Sequence, residues 1–340
     1  MDHPFSEQDF RLLHALQIAP RISWAAAARV LGGTPETLAE RWHRLRGEGL
    51  AWVTVHPEGL APMVTAMVEV DCEPGRRGNA ARILCADSRV VTVEEVARGC
   101  DLLLTVMVAD FGALTTFLLE DLGRVEGVTR HRSHLATVVR RHGANWRIRA
   151  LERNEQAALD EATHRDHVPS SQRNPKPLPA QHWPLVELLT MDGRASAADL
   201  ARATGRKPAT VRRQVCALAA SSQVAFRCEI AQEQSHWPIV CNWRARVPTA
   251  EHEMTTQALG TLPELRLCLS TTGETNLFFT VWARSLPDLL RIEHLLGEHL
   301  PRLELWDSSI TLRVLKRMGW LLLPDGRCTG EVVVPDALRP

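Results

Sequence analysis

Apolar residues between positions 183 and 232 recur at helical spacing in short stretches that turn residues separate. The first predicted helix ends near residues 192–193 and carries four apolar residues, Leu185, Val186, Leu188 and Leu189. Ser196 is the predicted N-cap of a second helix that runs to Ala203, and Gly205 permits the turn after it. The third predicted helix has one buried stripe at i, i+4 and i+7, formed by Val211, Val215 and Leu218. This order predicts a helix-turn-helix, and the strand-like "QVAFRCEIA" that follows predicts a wing.

The helical pattern occurs twice in the chain. Residues 21–45 align with residues 194–218 without a gap, so that Arg21 falls on Arg194 and Ser23 on Ser196. Further along, after a small shift in the alignment, "DLLLTVMVADFGAL" corresponds to "NLFFTVWARSLPDL". Internal similarity over such a length indicates a duplicated chain in which each half carries the same modules.

A second module follows each helix-turn-helix. In the first half, strand patterns at 61–72, 89–99, 101–110 and 130–142 enclose helical patterns at 79–86 and 112–125. The second half repeats this order with strands at 237–247, 265–274, 276–285 and 303–318 and helices at 252–262 and 286–300. The order βαββαβ predicts a ferredoxin-like sheet with two helices on one face. Because "DLLLTVMVA" and "NLFFTVWA" are apolar on both faces, we expect the free face to pack on another sheet, most simply that of the other half.

The predicted fold class is therefore α+β, with two winged helix-turn-helix domains alternating with two ferredoxin-like domains. The boundaries that the patterns predict are 1–58 and 59–150 for the first pair, 151–181 for a linker, 182–232 and 233–323 for the second pair, and 324–340 for a C-terminal extension. Four prolines within 163–181 favour a stiff, extended linker. In the extension, Pro324-Asp325-Gly326 predicts a turn between two further strands.

Composition excludes several classes of protein. The 340 residues carry 40 basic and 40 acidic side chains, so a binding site for a polyanion has to be local. No apolar run approaches the roughly 18–20 residues needed to span a membrane, and the polar N-terminus does not resemble a signal peptide. Eight scattered cysteines without a C-x-x-C motif are typical of reduced thiols in a cytoplasmic protein, and they predict neither a metal site nor a cofactor.

The third helix of the second copy gathers basic residues on the side opposite its apolar stripe. A projection at about 100° per residue points Arg213, Ala209 and Thr210 farthest from the stripe, with Gln214 at the edge. Between residues 194 and 213 six basic residues stand against one aspartate. Arginine neutralises phosphate or binds guanine, so this surface predicts binding to double-stranded DNA. The contacts we predict in this copy are Arg206, Lys207, Ala209, Thr210, Arg212, Arg213 and Gln214.

The first copy carries acidic residues in the same places. Glu40 takes the slot of Arg213, and Arg41 and Arg44 flank it. Since carboxylates facing phosphates are repulsive unless one accepts from a cytosine amino group, we expect the second helix-turn-helix to dominate DNA affinity. The first should bind weakly or with a narrower sequence preference. The contacts predicted in the first copy are Thr34, Thr37, Glu40, Arg41 and Arg44.

The chain resembles the Lrp/AsnC family of bacterial transcriptional regulators, in "MDGRASAADLARATG", "TVRRQV" and "STTGETNLFFTVW". The resemblance covers nearly the whole chain twice, as in a tandem form. It implies an effector (RAM-type) domain that drives oligomer assembly and binds a small molecule, usually an amino acid, near the loop between its second and third strands. By that resemblance the effector residues are Thr272, Gly273, Glu274, Thr275 and Asn276, whereas the first half matches the loop only at Asp101.

Two other functions stay open at this stage. Siroheme decarboxylases resemble the same two-module fold, but their branch tends to carry a His-Arg…Gly-Tyr stretch after the wing. This chain has no tyrosine, and we interpret His56 and His236 as surface residues of a wing and a loop. The other alternative is an architectural protein that binds DNA without a ligand.

Overall fold

The computed structural model describes residues 4–57, 63–166, 179–221 and 224–338. In chain order its α-helices are α1 Glu7–Ile18, α2 Trp24–Leu31, α3 Pro35–Gly47, α4 Arg77–Ala86, α5 Phe111–Thr116, α6 Arg153–Asp166, α7 Trp183–Met191, α8 Ala197–Thr204, α9 Pro208–Ala220, α10 His252–Leu259 and α11 Leu286–His299. Its strands are β1 Ala51–Pro57, β2 Val64–Cys72, β3 Val90–Val96, β4 Leu102–Val108, β5 Val128–Arg141, β6 Val224–Ile230, β7 Ile239–Arg246, β8 Leu265–Thr271, β9 Leu277–Ala283, β10 Glu304–Arg317, β11 Trp320–Leu322 and β12 Cys328–Val332.

The chain folds into two compact units, and each unit takes segments from both halves of the sequence. Met1–Met63, Arg147–Ala231 and Arg327–Pro340 form what we name the helical unit. Val64–Trp146 and Gln232–Gly326 form the sheet unit. Both helix-turn-helix segments thus belong to one body, and both ferredoxin-like segments belong to the other.

Side-chain caps begin the helices of the helical unit as the pattern predicts. Ser196 accepts a hydrogen bond from the backbone N–H of Asp199, which confirms its place before α8, and Gly205 ends this helix with φ of +67°. At the equivalent place in the first half, Ser23 accepts from the N–H of Ala26 before α2. The predicted stripe of α9 is buried, which is confirmed for Val211, Val215 and Leu218.

The two predicted wing strands are present, but they pair with each other. Strands β1 and β6 form an antiparallel ladder from Ala51 opposite Ile230 to Pro57 opposite Val224. Helix α7 of the second half packs on β1 of the first half, where the Thr54 hydroxyl donates to the Thr190 carbonyl at 2.9 Å. His56, expected at the surface, is instead only 3 % exposed within this ladder.

Arg21 and Arg194 occupy equivalent positions, and each reaches into the other half. Arg194 donates to the carbonyls of Pro20 and Ile22 at 2.6 and 2.8 Å, and its guanidinium lies 4.0 Å from the ring centroid of Trp24. Arg21 donates in the same way to two carbonyls of the turn between α7 and α8. Burial lowers the pKa of Arg194 to about 10. The expectation that Arg194 adds to the basic DNA-facing surface is therefore wrong, because its charge is used inside the protein.

The segment after residue 147 also packs on the first helix-turn-helix. The Nδ1 atom of His14 accepts the N–H groups of Ala150 and Leu151, both at 3.1 Å. Burial, together with the nearby arginines, lowers the pKa of His14 to about 4. Residues 153–166 form α6, in which Leu159 is fully buried, so this part of the predicted linker belongs to the folded unit. Residues 167–178, with most of the predicted linker prolines, lie outside the described residues.

The sheet unit contains two ferredoxin-like sheets that join at both edges. The strand order is β11-β10-β3-β4-β2-β5-β8-β9-β7, and β7 pairs with β10, so the sheet closes on itself. Two long strands make the junctions. Strand β5 pairs first with β2 and then with β8, while β10 pairs first with β7 and then with β3.

Helices cover the outside of this closed sheet, and side chains from both halves meet inside it. One outer core joins α4 and α5 to the first sheet, and another joins α10 and α11 to the second. The inner cluster consists of Met67, Val96, Leu103, Leu269 and Phe278. The free faces therefore pack on each other within one chain.

The helix predicted at 112–125 is less regular than its pattern indicates. Helix α5 is followed by one π-helical turn at Phe117–Asp121 and a 3-10 turn at Leu122–Arg124. The C-terminal turn is confirmed, since the Gly326 N–H donates to the Leu323 carbonyl at 2.9 Å and Gly326 has φ of +81°.

Candidate nucleic-acid interface

Helix α9 presents the basic side chains that its projection predicts. Lys207, Ala209, Arg212 and Arg213 are exposed, whereas Thr210 is half-buried. Neither Arg212 nor Arg213 forms an ion pair with any residue that the structure describes. Their charges are therefore available to a partner.

Two other predicted contacts of this copy, Arg206 and Gln214, form hydrogen bonds within the protein. Arg206 donates to the side-chain oxygen of Gln214 at 3.2 Å and to the carbonyl of Gln181 at 2.7 Å. Arg202, a basic residue of this stretch that is not among the predicted contacts, pairs with Asp199 at 3.1 Å. Arg206 and Gln214 thus hold the beginning of α9 in place, and the available charge is concentrated on Lys207 and the two exposed arginines.

The first copy commits its two arginines to acidic neighbours. Arg41 and Arg44 bind the two carboxylate oxygens of Asp9 at 2.9 and 2.7 Å, and Arg44 also binds Glu48 at 3.1 Å. Burial opposes ionisation of Asp9, but hydrogen bonds from Ser6 and both arginines hold its pKa below the usual value. Thr34, Thr37 and Glu40 are exposed. Much of the positive charge of α3 is consequently neutralised, which agrees with the ranking of the two helices that the sequence suggests.

The loop between β8 and β9 exposes three of the five predicted effector residues. Thr272, Gly273 and Glu274 are exposed, and Gly273 has φ of +120°, a conformation that favours glycine. Thr275 is only 5 % exposed. The exposed part of this loop is therefore the part that could meet a ligand.

Asn276 and Asp101 are the last residues of the two loops, and their side chains form hydrogen bonds with the backbone of a neighbouring strand end. The Asn276 side chain accepts the N–H of Val247 at 3.0 Å and donates to its carbonyl at 2.8 Å. Asp101 accepts the N–H of Cys72, the equivalent residue, at 2.8 Å. Both side chains fasten the end of the first strand of their sheet, so their match between the halves is explained without an effector.

Each loop also lies at a junction between the two sheets. The Thr272 N–H donates to the Leu135 carbonyl at 3.0 Å, and the Ala97 N–H donates to the Ile310 carbonyl at 2.9 Å. Leu135 and Ile310 belong to the long strands β5 and β10. Each loop is thus placed between the two halves of the chain.

A charged cluster that the sequence analysis did not predict lies beside the loop between β3 and β4 in the first half. Arg132 binds Glu69 at 2.8 Å and the Gly99 carbonyl at 2.6 Å, and Arg244 pairs with both Glu69 and Asp307. Burial raises the pKa of Glu69, but hydrogen bonds from His134 and Arg132 and the charge of Arg244 overcome it and lower this pKa to about 2.

The repeat contained a signal for this cluster. In the alignment that places Asp101 on Asn276, Glu69 is equivalent to Arg244 and Arg132 is equivalent to Asp307. The charges are reversed between the halves, so that the two equivalent positions 69 and 244 attract each other where they meet.

Comparison with known proteins places the chain in a family. The AsnC-type helix-turn-helix domain matches residues 6–46, and the Lrp/AsnC ligand-binding domain matches residues 65–141. An uncharacterized helix-turn-helix-type transcriptional regulator of Pyrococcus furiosus is 30% identical over 141 residues, which cover 40% of this chain and 95% of that protein. The chain belongs to the Lrp/AsnC family. A second uncharacterized helix-turn-helix-type transcriptional regulator, from Pyrococcus horikoshii, is 25% identical over 140 residues, which cover 40% of this chain and 89% of that protein.

A solved structure shares the fold of both halves of the chain. The siroheme decarboxylase NirDL is similar over 92% of this chain and 93% of its own, with a TM-score of 0.58 and 13% sequence identity. Its complex with an iron-uroporphyrin III analogue gives a TM-score of 0.57 at 12% identity, over 89% of this chain and 92% of that one. At such identities the likeness shows a shared fold alone.

Membrane-spanning helices and metal-binding clusters are both absent from the described residues. None of their helices is long and apolar enough to cross a membrane. No group of three or more His, Cys, Asp or Glu side chains among them is arranged to hold a metal ion.

Proposed function

We propose that the protein regulates transcription by binding double-stranded DNA, with α9 making the dominant contact. The observation that carries this proposal is the contrast between the two third helices. On α9 the exposed Arg212 and Arg213 have no ion-pair partner among the described residues, whereas on α3 Arg41 and Arg44 bind carboxylates. An exposed, uncompensated arginine is available to phosphates or guanine edges.

Fluorescence anisotropy with the DNA that lies upstream of the gene for this protein tests the proposal. We expect Arg213→Ala to weaken binding by roughly ten-fold or more and to reduce the slope of log affinity against log salt concentration by about 1 if Arg213 contacts a phosphate. Arg44→Ala serves as the matched control on α3 and should weaken binding less. A larger loss from Arg44→Ala would reverse the assignment.

Helices α9 and α3 differ in their available positive charge, and we expect this difference to be reflected in the DNA sequence that the protein binds. If both helix-turn-helix segments of this unit contact DNA, they read two half-sites, and unequal recognition surfaces then favour an asymmetric operator over a palindrome. Footprinting should show a few defined sites. Broad, weakly specific coverage would instead support the architectural alternative.

We propose that a small molecule, of which an amino acid is the first candidate, binds at the exposed loop of residues 272–274. The backbone N–H groups of this loop and the Glu274 carboxylate suit the two charged ends of an amino acid. Calorimetric titration with amino acids tests it, with Gly273→Val as the variant, because valine strains a backbone at φ of +120°. Absence of heat with every amino acid would leave the loop as a structural turn.

We further propose that the protein is not an enzyme, although the fold similarity to NirDL over 92% of the chain favours decarboxylation as the second candidate. His56, one of the two histidines near the wings, lies buried in the β1–β6 ladder, and His236 is exposed. Porphyrin absorbance in the purified protein, or carbon dioxide release from siroheme, would support the enzyme.

A further inference from the structure

A groove of about 500 Å³ runs along α9 in the helical unit. One wall comes from α9, through Arg212, Val215, Cys216 and Ala219, and Phe226 of β6 contributes another. The turn between α1 and α2, the end of α6 and the beginning of α8 also line the groove. This volume lies within the usual range for small-molecule sites.

The groove depends on small residues that the first half does not share. In the alignment that places Arg21 on Arg194, bulky side chains in the first half correspond to small ones here, Trp24 to Ala197, Trp42 to Val215 and Trp52 to Ala225. In the first half Trp42 and Trp52 are 3 % and 1 % exposed, so these indoles fill space. The duplicated halves have therefore diverged in whether this region is filled or open.

The charge of the groove is positive. Arg212, which is exposed, and Arg21 both line it, and the Arg21 guanidinium is 5.5 Å from the centroid of the Phe226 ring. The lining contains no acidic side chain among the described residues. Its lining is mostly apolar, and the Arg212 guanidinium has no ion-pair partner in the part of the chain that the structure describes, so the groove complements a small molecule with an apolar body and a single carboxylate.

We propose that this groove binds a small apolar carboxylate, with the carboxylate on Arg212 and the hydrocarbon along Val215, Ala219 and Phe226. The site is separate from the loop of residues 272–274. Resting on the proposed function, it has a regulatory consequence, because Arg212 cannot hold a carboxylate and a DNA phosphate at once. Occupancy of the groove therefore weakens DNA binding.

Cys216 provides a readout in the absence of DNA, because its exposed thiol lies in the lining. The probe is octanoate, and the measurement is the rate at which iodoacetamide alkylates Cys216, followed on its peptide by mass spectrometry. We expect octanoate to slow this reaction saturably, and octylamine, of equal chain length and opposite charge, not to do so. In Arg212→Gln the half-saturating concentration should rise roughly ten-fold or more, as for loss of a charge-assisted hydrogen bond.

Two further variants separate the groove from the surrounding surface. Arg213→Gln, which removes the neighbouring exposed arginine outside the groove, should leave octanoate protection unchanged. Ala225→Trp, which copies the residue of the first half, should abolish protection, and octanoate should then no longer weaken DNA binding. The proposal is overturned if octanoate gives no saturable protection, if octylamine protects equally, or if Arg212→Gln and Arg213→Gln behave alike. Since occupancy is read without DNA, such a failure leaves the role of α9 in DNA binding standing.

Discussion

The charge cluster at the meeting point of the two sheets gives a prediction whose size can be worked out. Glu69 has a side chain only 6% exposed and binds Arg132 and Arg244, and its pKa is lowered to about 2 from 4.5. A depressed carboxyl pKa stabilises the fold above the unfolded-state value and loses this effect as the pH falls toward the folded-state value. At about 1.36 kcal/mol per pH unit, the stabilisation is about 3 kcal/mol at neutral pH.

The substitution Glu69→Gln tests this value because it removes the charge and keeps the shape. We expect the free energy of unfolding to fall by about 3 kcal/mol at pH 7, in line with loss of one partner from a buried ion pair. The difference between the two proteins should shrink to about half by pH 3, because the unfolded-state carboxyl is then protonated while most of the native carboxylate is still ionised.

The assay is urea denaturation at several pH values, with hydrogen exchange in β2 and β5 identifying the transition of the sheet unit. Thr272→Ala, at an exposed loop position, is the control and should cost little at any pH. A Glu69→Gln effect that stays constant from pH 7 to pH 3, or one below about 1 kcal/mol throughout, would refute the linkage reasoning.

Three other substitutions probe the contacts that join distant segments. Arg194→Met should lower the free energy of unfolding by about 2–4 kcal/mol, since the carbonyls of the half-buried Pro20 and the buried Ile22 lose their donor, and it should leave the DNA affinity of the folded protein unchanged in anisotropy titrations. His14→Asn keeps an acceptor for the two N–H groups but cannot be protonated. Because the histidine pKa falls from 6.5 to about 4 on folding, the wild-type protein should lose stability as the pH drops through that window, and the variant should lose less in thermal melts from pH 7 to pH 4. Asn276→Ala should cost about 2 kcal/mol through its lost bonds to Val247, and an unchanged denaturation midpoint would exclude this fastening role.

Much of the local structure was predictable from the chain itself. The stripe of Val211, Val215 and Leu218, the cap at Ser196 and the turn at Gly205 depend on residues within one or two helical turns. The alternation of strands and helices in both ferredoxin-like segments was also predictable, because it too depends on local patterns. The internal sequence similarity indicated the duplication. Exposure of Arg213 follows directly from the position of the apolar stripe.

Other features depend on partners far away along the chain. A wing strand could fold back on its own helices, or it could pair with the wing strand of the other half, as β1 does with β6. Both arrangements need the same extended, half-apolar segment, so no local pattern distinguishes them. Arg194 belongs to a basic stretch, yet its guanidinium donates hydrogen bonds to carbonyls of the first half. The attraction between Glu69 and Arg244 likewise exists only because the closed sheet brings equivalent positions together. Hydrophobic period and capping chemistry act over a few residues and so determined the elements, whereas only tertiary packing decided which element each polar side chain meets.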